Sequence, residues 1–130
     1  MKGHFYSQHA GALRAELGAA ISREQMRELH RKQPLRHLAI AARQFAILAL
    51  ATWALIRFDN PLVWIPLAVV QGFTVFNFTI LLHEVVHHTI FEGRRPRLER
   101  LLGFLYAIPS GISASQFTRW HLDHHAELGS

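Results

Sequence analysis

Cysteine is missing from all 130 residues. That excludes disulfides and thiolate ligands, so a metal site in this chain must be built from imidazole, carboxylate or water. Acidic residues are scarce too. Nine Asp and Glu stand against fourteen Lys and Arg, giving a formal charge of +5 in a chain that is 50% apolar. That combination suits a membrane protein whose charges are confined to its ends and loops better than it suits a soluble globule. The basic residues flank apolar runs and are not interleaved with exposed aromatics. The expected partner is therefore an anionic membrane surface, and no nucleic acid. Residues 1–34 contain no apolar core of signal-peptide type, and the chain has no internal repeat or low-complexity tract. Its length leaves room for one domain.

Histidine, by contrast, is abundant, with ten residues. Six of them fall in two blocks, Leu81-Leu82-His83-Glu84-Val85-Val86-His87-His88 and Trp120-His121-Leu122-Asp123-His124-His125, and five of the six stand at helical ligand spacing. His83 and His87 are four apart, which on a helix stacks both rings on one face, one turn from each other. His121, His124 and His125 repeat that geometry with spacings of three and four. Five imidazoles at helical ligand spacing imply one metal centre built from two helices.

The intervening chain reads as the means of presenting these blocks. Residues 1–20 suggest a flexible or lightly helical tail. Ser22 and Gln25 have capping-box spacing, and a short exposed helix over 23–32 is expected, stopped by Pro34. An apolar run over residues 38–58 comes next, with Arg43 close enough to its start to snorkel to the headgroups. Asp59-Asn60-Pro61 is turn chemistry, and Pro61 suits the first turn of the next helix. The second run, 62–82, carries no charge. Each run has about the 20 residues that cross a ~30 Å hydrocarbon core. The short break makes the two spans a hairpin. Basic residues lie at its outer ends (Arg27, Arg31, Lys32 and Arg36 before, Arg94, Arg95, Arg97 and Arg100 after), and the loop offers only Arg57. By the positive-inside rule both termini and the histidines are cytoplasmic. Gln71, Asn77 and Thr79 lie inside the second span and suit helix–helix hydrogen bonds. Residues 98–108 carry apolar side chains at three- and four-residue spacing but are too few to span, so an interfacial helix is expected, broken by Pro109-Ser110-Gly111. A further helical segment from about Ser113 carries the second block. The fold class is all-α: an integral membrane helical protein, with a transmembrane hairpin and cytoplasmic interfacial helices.

Two chemistries compete for these residues. His83-Glu84-Val85-Val86-His87 is an HExxH sequence, the pattern of an intramembrane zinc metalloprotease with two ligands and a glutamate base. That reading leaves the second histidine block unexplained. Two iron ions in a histidine-rich cage would use both blocks.

HEVVHH, an interval of about thirty residues with an amphipathic helix, and then HLDHH together resemble the membrane fatty acid desaturase family, whose histidine boxes are shared with related hydroxylases and ketolases. Box one (HxxxH) falls on His83 and His87, and box two (HxxHH) on His121, His124 and His125. The likeness covers roughly residues 40–130 and includes the lead-in Gly111-Ile112-Ser113-Ala114-Ser115-Gln116-Phe117. It implies a cytoplasmic tail over 1–36 and the amino-terminal part of a desaturase domain over 37–130. It also implies a di-iron, oxygen-dependent enzyme that introduces a double bond into the acyl chain of a membrane lipid. Molecular oxygen would be a co-substrate, with electrons from an external electron-transfer protein such as ferredoxin or cytochrome b5. Glu84, Asp123 and Glu127 are the nearest carboxylates able to hold ligand imidazoles through their second nitrogens, and His88 is an additional candidate. The family carries a third box that has no counterpart by Ser130. The expectation is thus a fragment that is inactive alone and binds iron weakly, or, in a rival reading, a non-enzymatic membrane assembly factor.

Overall fold

The computed structural model describes residues 5–127, and among these there is no strand. Six helices run in order: α1 (Phe5–Ala20), α2 (Arg23–Leu29), α3 (Pro34–Arg57), α4 (Pro61–Val86), α5 (Pro96–Ser110) and α6 (Ala114–Glu127). The all-α expectation holds. The chain divides into two compact units, one of Met1–Arg31 with Arg119–Ser130, the other of Lys32–Thr118.

In the first unit, the segment expected to be a flexible or lightly helical tail forms the 16-residue helix α1. Its Ala, Leu, Arg and Glu content favours the helix, and no proline interrupts it. Helix α2 opens on the expected capping box: Gln25 N–H donates to Ser22 Oγ at 3.2 Å, and Ser22 N–H to Gln25 Oε1 at 3.0 Å. It ends at Leu29, earlier than expected. Pro34 does not stop it but occupies the first turn of α3. A proline pushes the residue before it out of helical geometry, and Gln33 accordingly takes φ −125° and ψ 73°. At the first helical position the missing N–H of Pro34 has no partner to lose.

The second unit is built on the hairpin of α3 and α4. Both helices are long and apolar enough to cross a membrane. At ~1.5 Å per residue they reach ~36 and ~39 Å, longer than a ~30 Å hydrocarbon core. Each extends past the expected run, α3 by starting at Pro34 and α4 by continuing to Val86. His83 therefore lies in the last turn of α4 and His87 caps it, with His88 just beyond the helix. Asn60 caps α4 by accepting from Leu62 N–H at 2.9 Å, and Pro61 comes directly after it as expected. Pro66 lies inside α4 near its start, where the freed carbonyl is only one turn from the helix end.

Leu50, Ile56, Leu62, Phe73 and Phe76 are all exposed on the hairpin. An apolar surface of this extent belongs against lipid, where a helix that satisfies its own backbone needs no polar outer face. Arg43, ten residues into α3, is exposed, while Gln44 beside it is buried. Midway along, Gln71 Nε2 donates to Thr52 Oγ1 at 2.8 Å across the hairpin, the expected kind of helix–helix bond. Asn77 turns its amide back onto Phe73 C=O of its own helix.

Helix α5, 15 residues long, is too short to span at ~1.5 Å per residue. It packs on the C-terminal half of α4. Gly103 sits close to Val85 and Leu82 there, with room for a Cβ at ordinary contact distances of 3.6 and 3.7 Å. Phe78, Leu82 and Tyr106 are the largest fully buried side chains, and Phe45 of α3 meets Phe78 with ring centroids 4.6 Å apart. Leu101, Phe104 and Ile108 face outward, as an interfacial helix requires. Its end is set by Gly111 at φ 66°, and Ile112 N–H turns back to Ala107 C=O. Pro109 is taken into the last turn, so the break falls at Gly111.

Phe78→Ala should cost about 3 kcal/mol of stability in detergent, the low end for a buried phenylalanine because lipid-like tails supply little hydrophobic force between helices. Phe76→Ala, on the exposed face of the same helix, should change it by less than ~0.5 kcal/mol. Thermal or chemical unfolding of both variants checks the difference.

Candidate functional site

Box one occupies the end of α4. His83 and His87 stack one turn apart, with ring centroids at 4.5 Å and planes at 58°. His87 is the C-cap of the helix. The chain then reverses through His88, the sole non-glycine residue with positive φ (54°) among those described. His88 N–H reaches Val85 C=O at 3.1 Å, and Thr89 N–H reaches Glu84 C=O at 3.2 Å. This is the two-bond helix ending in which glycine is the usual left-handed residue. A histidine there accepts backbone strain of roughly 1 kcal/mol, and its side-chain contacts offset that cost. His88 Nδ1–H donates to Glu99 Oε2 at 2.9 Å, and Arg94 donates to His88 Nε2 at 2.9 Å. Lys32 Nζ holds the His88 carbonyl at 2.6 Å, and Lys32 N–H donates to Glu92 at 3.2 Å. The helix end that carries the box-one pair is thus tied to the start of α3 and to α5.

Glu84 comes next after His83 and is turned ~100° round the helix from it. Its Oε2 accepts from His37 Nδ1 at 2.6 Å. Tyr106 O–H meets the other nitrogen of His37 at 3.1 Å. His37 is 6% exposed and Tyr106 1%. Burial first, and then the neighbouring Glu84 carboxylate, push the Tyr106 hydroxyl up from 10.0 to about 12, so it stays a donor at any ordinary pH. Sequence pattern does not single out His37. Its signal is weak: a lone histidine one turn into a helix, with partners 47 and 69 residues away.

Box two lies on α6. His121 is buried, and its ring centroid is 4.5 Å from that of His125 with the planes at 83°. Their Nε2 atoms stand 2.9 Å apart. His124 is not drawn into that pair. It stacks on Trp120, with centroids 5.8 Å apart and planes within 10°, and its centroid is 6.0 Å from that of His125. Asp123 and Glu127 are exposed.

The donors fit an imidazole-bound transition metal. Two metal–nitrogen bonds of ~2.1 Å at right angles put the nitrogens ~3 Å apart, and His121 and His125 already have that separation. Four-residue spacing lets each pair offer two nitrogens from one helix face without distorting the backbone.

The family model described as fatty acid desaturase matches residues 59–130, more than half of the chain and both boxes. The chain belongs to the fatty acid desaturase family. Among curated proteins it is similar to a sphingolipid delta(4)-desaturase, DES1, of Drosophila melanogaster, with 36% identity over 58 residues (42% of this chain and 18% of that protein). It is 34% identical to the Homo sapiens DES1 over 55 residues, again 42% of this chain and 17% of the relative. It is 33% identical over 54 residues to a sphingolipid delta(4)-desaturase/C4-monooxygenase, DES2, of Bos taurus, covering 41% of this chain and 17% of that protein. The matched stretch thus spans under a fifth of the length of these relatives. No solved structure matches the chain.

Glu99→Gln removes the charge from the Glu99–His88 bond but keeps its shape. Because His88 is 42% exposed in its side chain, the loss should be only about 1 kcal/mol, read as a lowered unfolding midpoint of the detergent-solubilised protein.

Proposed function

We propose that this chain carries two of the histidine boxes of an oxygen-dependent di-iron desaturase acting on a sphingolipid or related long-chain acyl lipid. The observation that supports it most is the arrangement of His83 with His87 and of His121 with His125, each pair on one helix face, in a member of this family. His83, His87, His121, His124 and His125 are the ligands in this reading. His124 would have to leave Trp120 or bind while stacked on it. The chemistry bound iron would supply is reductive activation of oxygen for attack on an unactivated methylene. In the overall reaction the acyl –CH2–CH2– unit loses two hydrogens and becomes –CH=CH–. One O2 takes up those hydrogens with two electrons and two protons and leaves as two waters. The electrons come from an external carrier such as ferredoxin or cytochrome b5.

The chain's own residues have narrower tasks. The apolar faces of α3 and α4 keep the acyl substrate and the site in contact with lipid. The ending at His88 holds the box-one turn in place. The positive-inside rule puts both outer ends of the hairpin, and with them box one, in the cytoplasm, within reach of a soluble electron donor. A second reading, hydroxylation of the same substrate, is favoured by the Bos taurus relative, whose name is that of a desaturase/C4-monooxygenase. The zinc protease reading is disfavoured by Glu84, whose carboxylate is engaged by His37, whereas a protease needs that group free as the base beside the metal.

Anaerobic titration of the chain in lipid nanodiscs with iron(II) should saturate, and His83→Ala and His121→Ala should each weaken binding at least ~10-fold. Stoichiometric zinc with no affinity for iron would overturn the reading. Lipid profiles of cells expressing the protein should gain an unsaturated sphingolipid, whereas a hydroxylated product alone would select the second reading.

The orientation has its own test, made simple by the absence of native thiols. Cysteines introduced at Arg95 should react with an impermeant maleimide only from the cytoplasmic face, and those at Asn60 only from the opposite face. Labelling of both from one side would rule out the spanning hairpin.

A further inference from the structure

We infer that His37 is a positioning residue for box one: through Glu84 and Tyr106 it fixes the turn of α4 that presents His83 and His87. Nothing in the histidine-box pattern includes it. It lies near the start of α3, far from both boxes in sequence, yet it is 6% exposed and both its ring nitrogens are engaged. A carboxylate offers only acceptors, so Nδ1 carries the proton in the 2.6 Å contact with Glu84, and Nε2 is left to accept from Tyr106 O–H at 3.1 Å. One imidazole therefore joins three helices at a single level of the hairpin: α3 through its own backbone, α4 through Glu84 and α5 through Tyr106.

That level is the one that matters for the metal. Glu84 sits between His83 and His87 in sequence, so any rotation of the α4 turn that moves Glu84 moves both rings. Beyond the turn, the bonds of His88 to Glu99, Arg94 and Lys32 hold the helix end. Within the turn, the Glu84 bond acts between the two ligand positions themselves, where apolar packing around Phe78 and Leu82 resists separation more than rotation. A short charge-assisted bond has direction, and directional bonds are what set an angle. Tyr106 gives the imidazole a second fixed point inside the core, so His37 cannot swing away with Glu84. Outer groups that orient metal ligands are commonly worth about 10–100-fold in metal affinity, and the same scale is expected here.

This inference rests on the metal-binding role proposed above, and the experiment separates the two. The chain in lipid nanodiscs is titrated with cobalt(II) under argon, with its visible d–d absorption as the signal. Amide hydrogen exchange of residues 83–89 is followed in the metal-free samples. Four proteins are compared: the unaltered chain, His37→Phe, His37→Gln and Tyr106→Phe. Phenylalanine at position 37 keeps the ring volume but neither bond. Glutamine can rebuild both, donating through its amide nitrogen and accepting through its oxygen. Tyr106→Phe removes one hydroxyl and leaves the packing intact.

His37→Phe should weaken cobalt binding at least ~10-fold and speed exchange over residues 83–89 but not over 62–78. Tyr106→Phe should weaken binding several-fold, and His37→Gln should recover most of the affinity. Unchanged exchange in both His37→Phe and Tyr106→Phe would overturn the tether. Faster exchange with wild-type cobalt affinity would overturn its role toward the metal, as would equal losses in His37→Phe and His37→Gln. If His37→Phe fails to fold, the Tyr106→Phe result decides alone by the same criteria. Failure of the unaltered chain to bind cobalt at all would instead remove the proposed metal function, and this role with it.

Discussion

The 2.6 Å bond between His37 and Glu84 closes the open end of the α3–α4 hairpin, and the rest of the second unit depends on it in a way that no apolar contact could replace. Between two apolar helices in lipid there is little solvent-driven force, because lipid tails are as apolar as the side chains they would release. Packing brings such helices together but tolerates sliding and rotation. A polar bond between them does not, since breaking it leaves the buried His37 imidazole without its partner in a poorly solvating medium. Gln71 to Thr52 midway and His37 to Glu84 at the base are bonds of this kind. Together they fix the register of α3 against α4, and with it the height at which the box-one histidines emerge.

Polar groups are concentrated at that base and thin out along the hairpin. Lys32, Glu92, Arg94, Glu99 and His88 form bonds around the end of α4. Tyr106 carries the polar chain inward to the aromatic core of Phe45 and Phe78. The reversals at the ends of α4 and α5 make the contrast plain. Gly111 turns the chain at no steric cost and contributes no side chain. His88 turns it in the same left-handed region and links Arg94 to Glu99. At the first reversal, strain is accepted in return for charge-assisted bonds. At the second, glycine makes the turn with backbone bonds alone.

Much of this organisation is legible in the sequence at the level of length, polarity and spacing. Two long apolar runs with Asp59-Asn60-Pro61 between them can form little else than a hairpin, and the Ser22–Gln25 capping box is a local bond that needs no tertiary context. Helix ends are less legible because they depend on single residues that can be read in either direction. Pro34 serves equally well as a stop for the helix before it or a start for the helix after it, and the backbone of Gln33 decides for the second. The tail over residues 1–20 looks featureless because α1 has no apolar stripe. Propensity alone marks it, and propensity is a weak signal in so short a segment.

The boxes are legible for a different reason: ligand spacing is a property of one helix, and one helix can be read from a string of residues. The contacts that join helices cannot be read that way. HEVVH as a string supports a protease base as well as a desaturase box, because the letters do not say which way Glu84 points. Its direction is set by His37, 47 residues earlier, and by Tyr106 behind it. Neither belongs to a motif, and each alone would pass for an ordinary core residue. The same limit applies to His124. Its spacing makes it equivalent to His125 as a ligand, yet Trp120, four residues before it, gives it a flat aromatic surface to rest on. Spacing identifies which side chains are able to meet, and the competing contacts of each side chain determine which of them do.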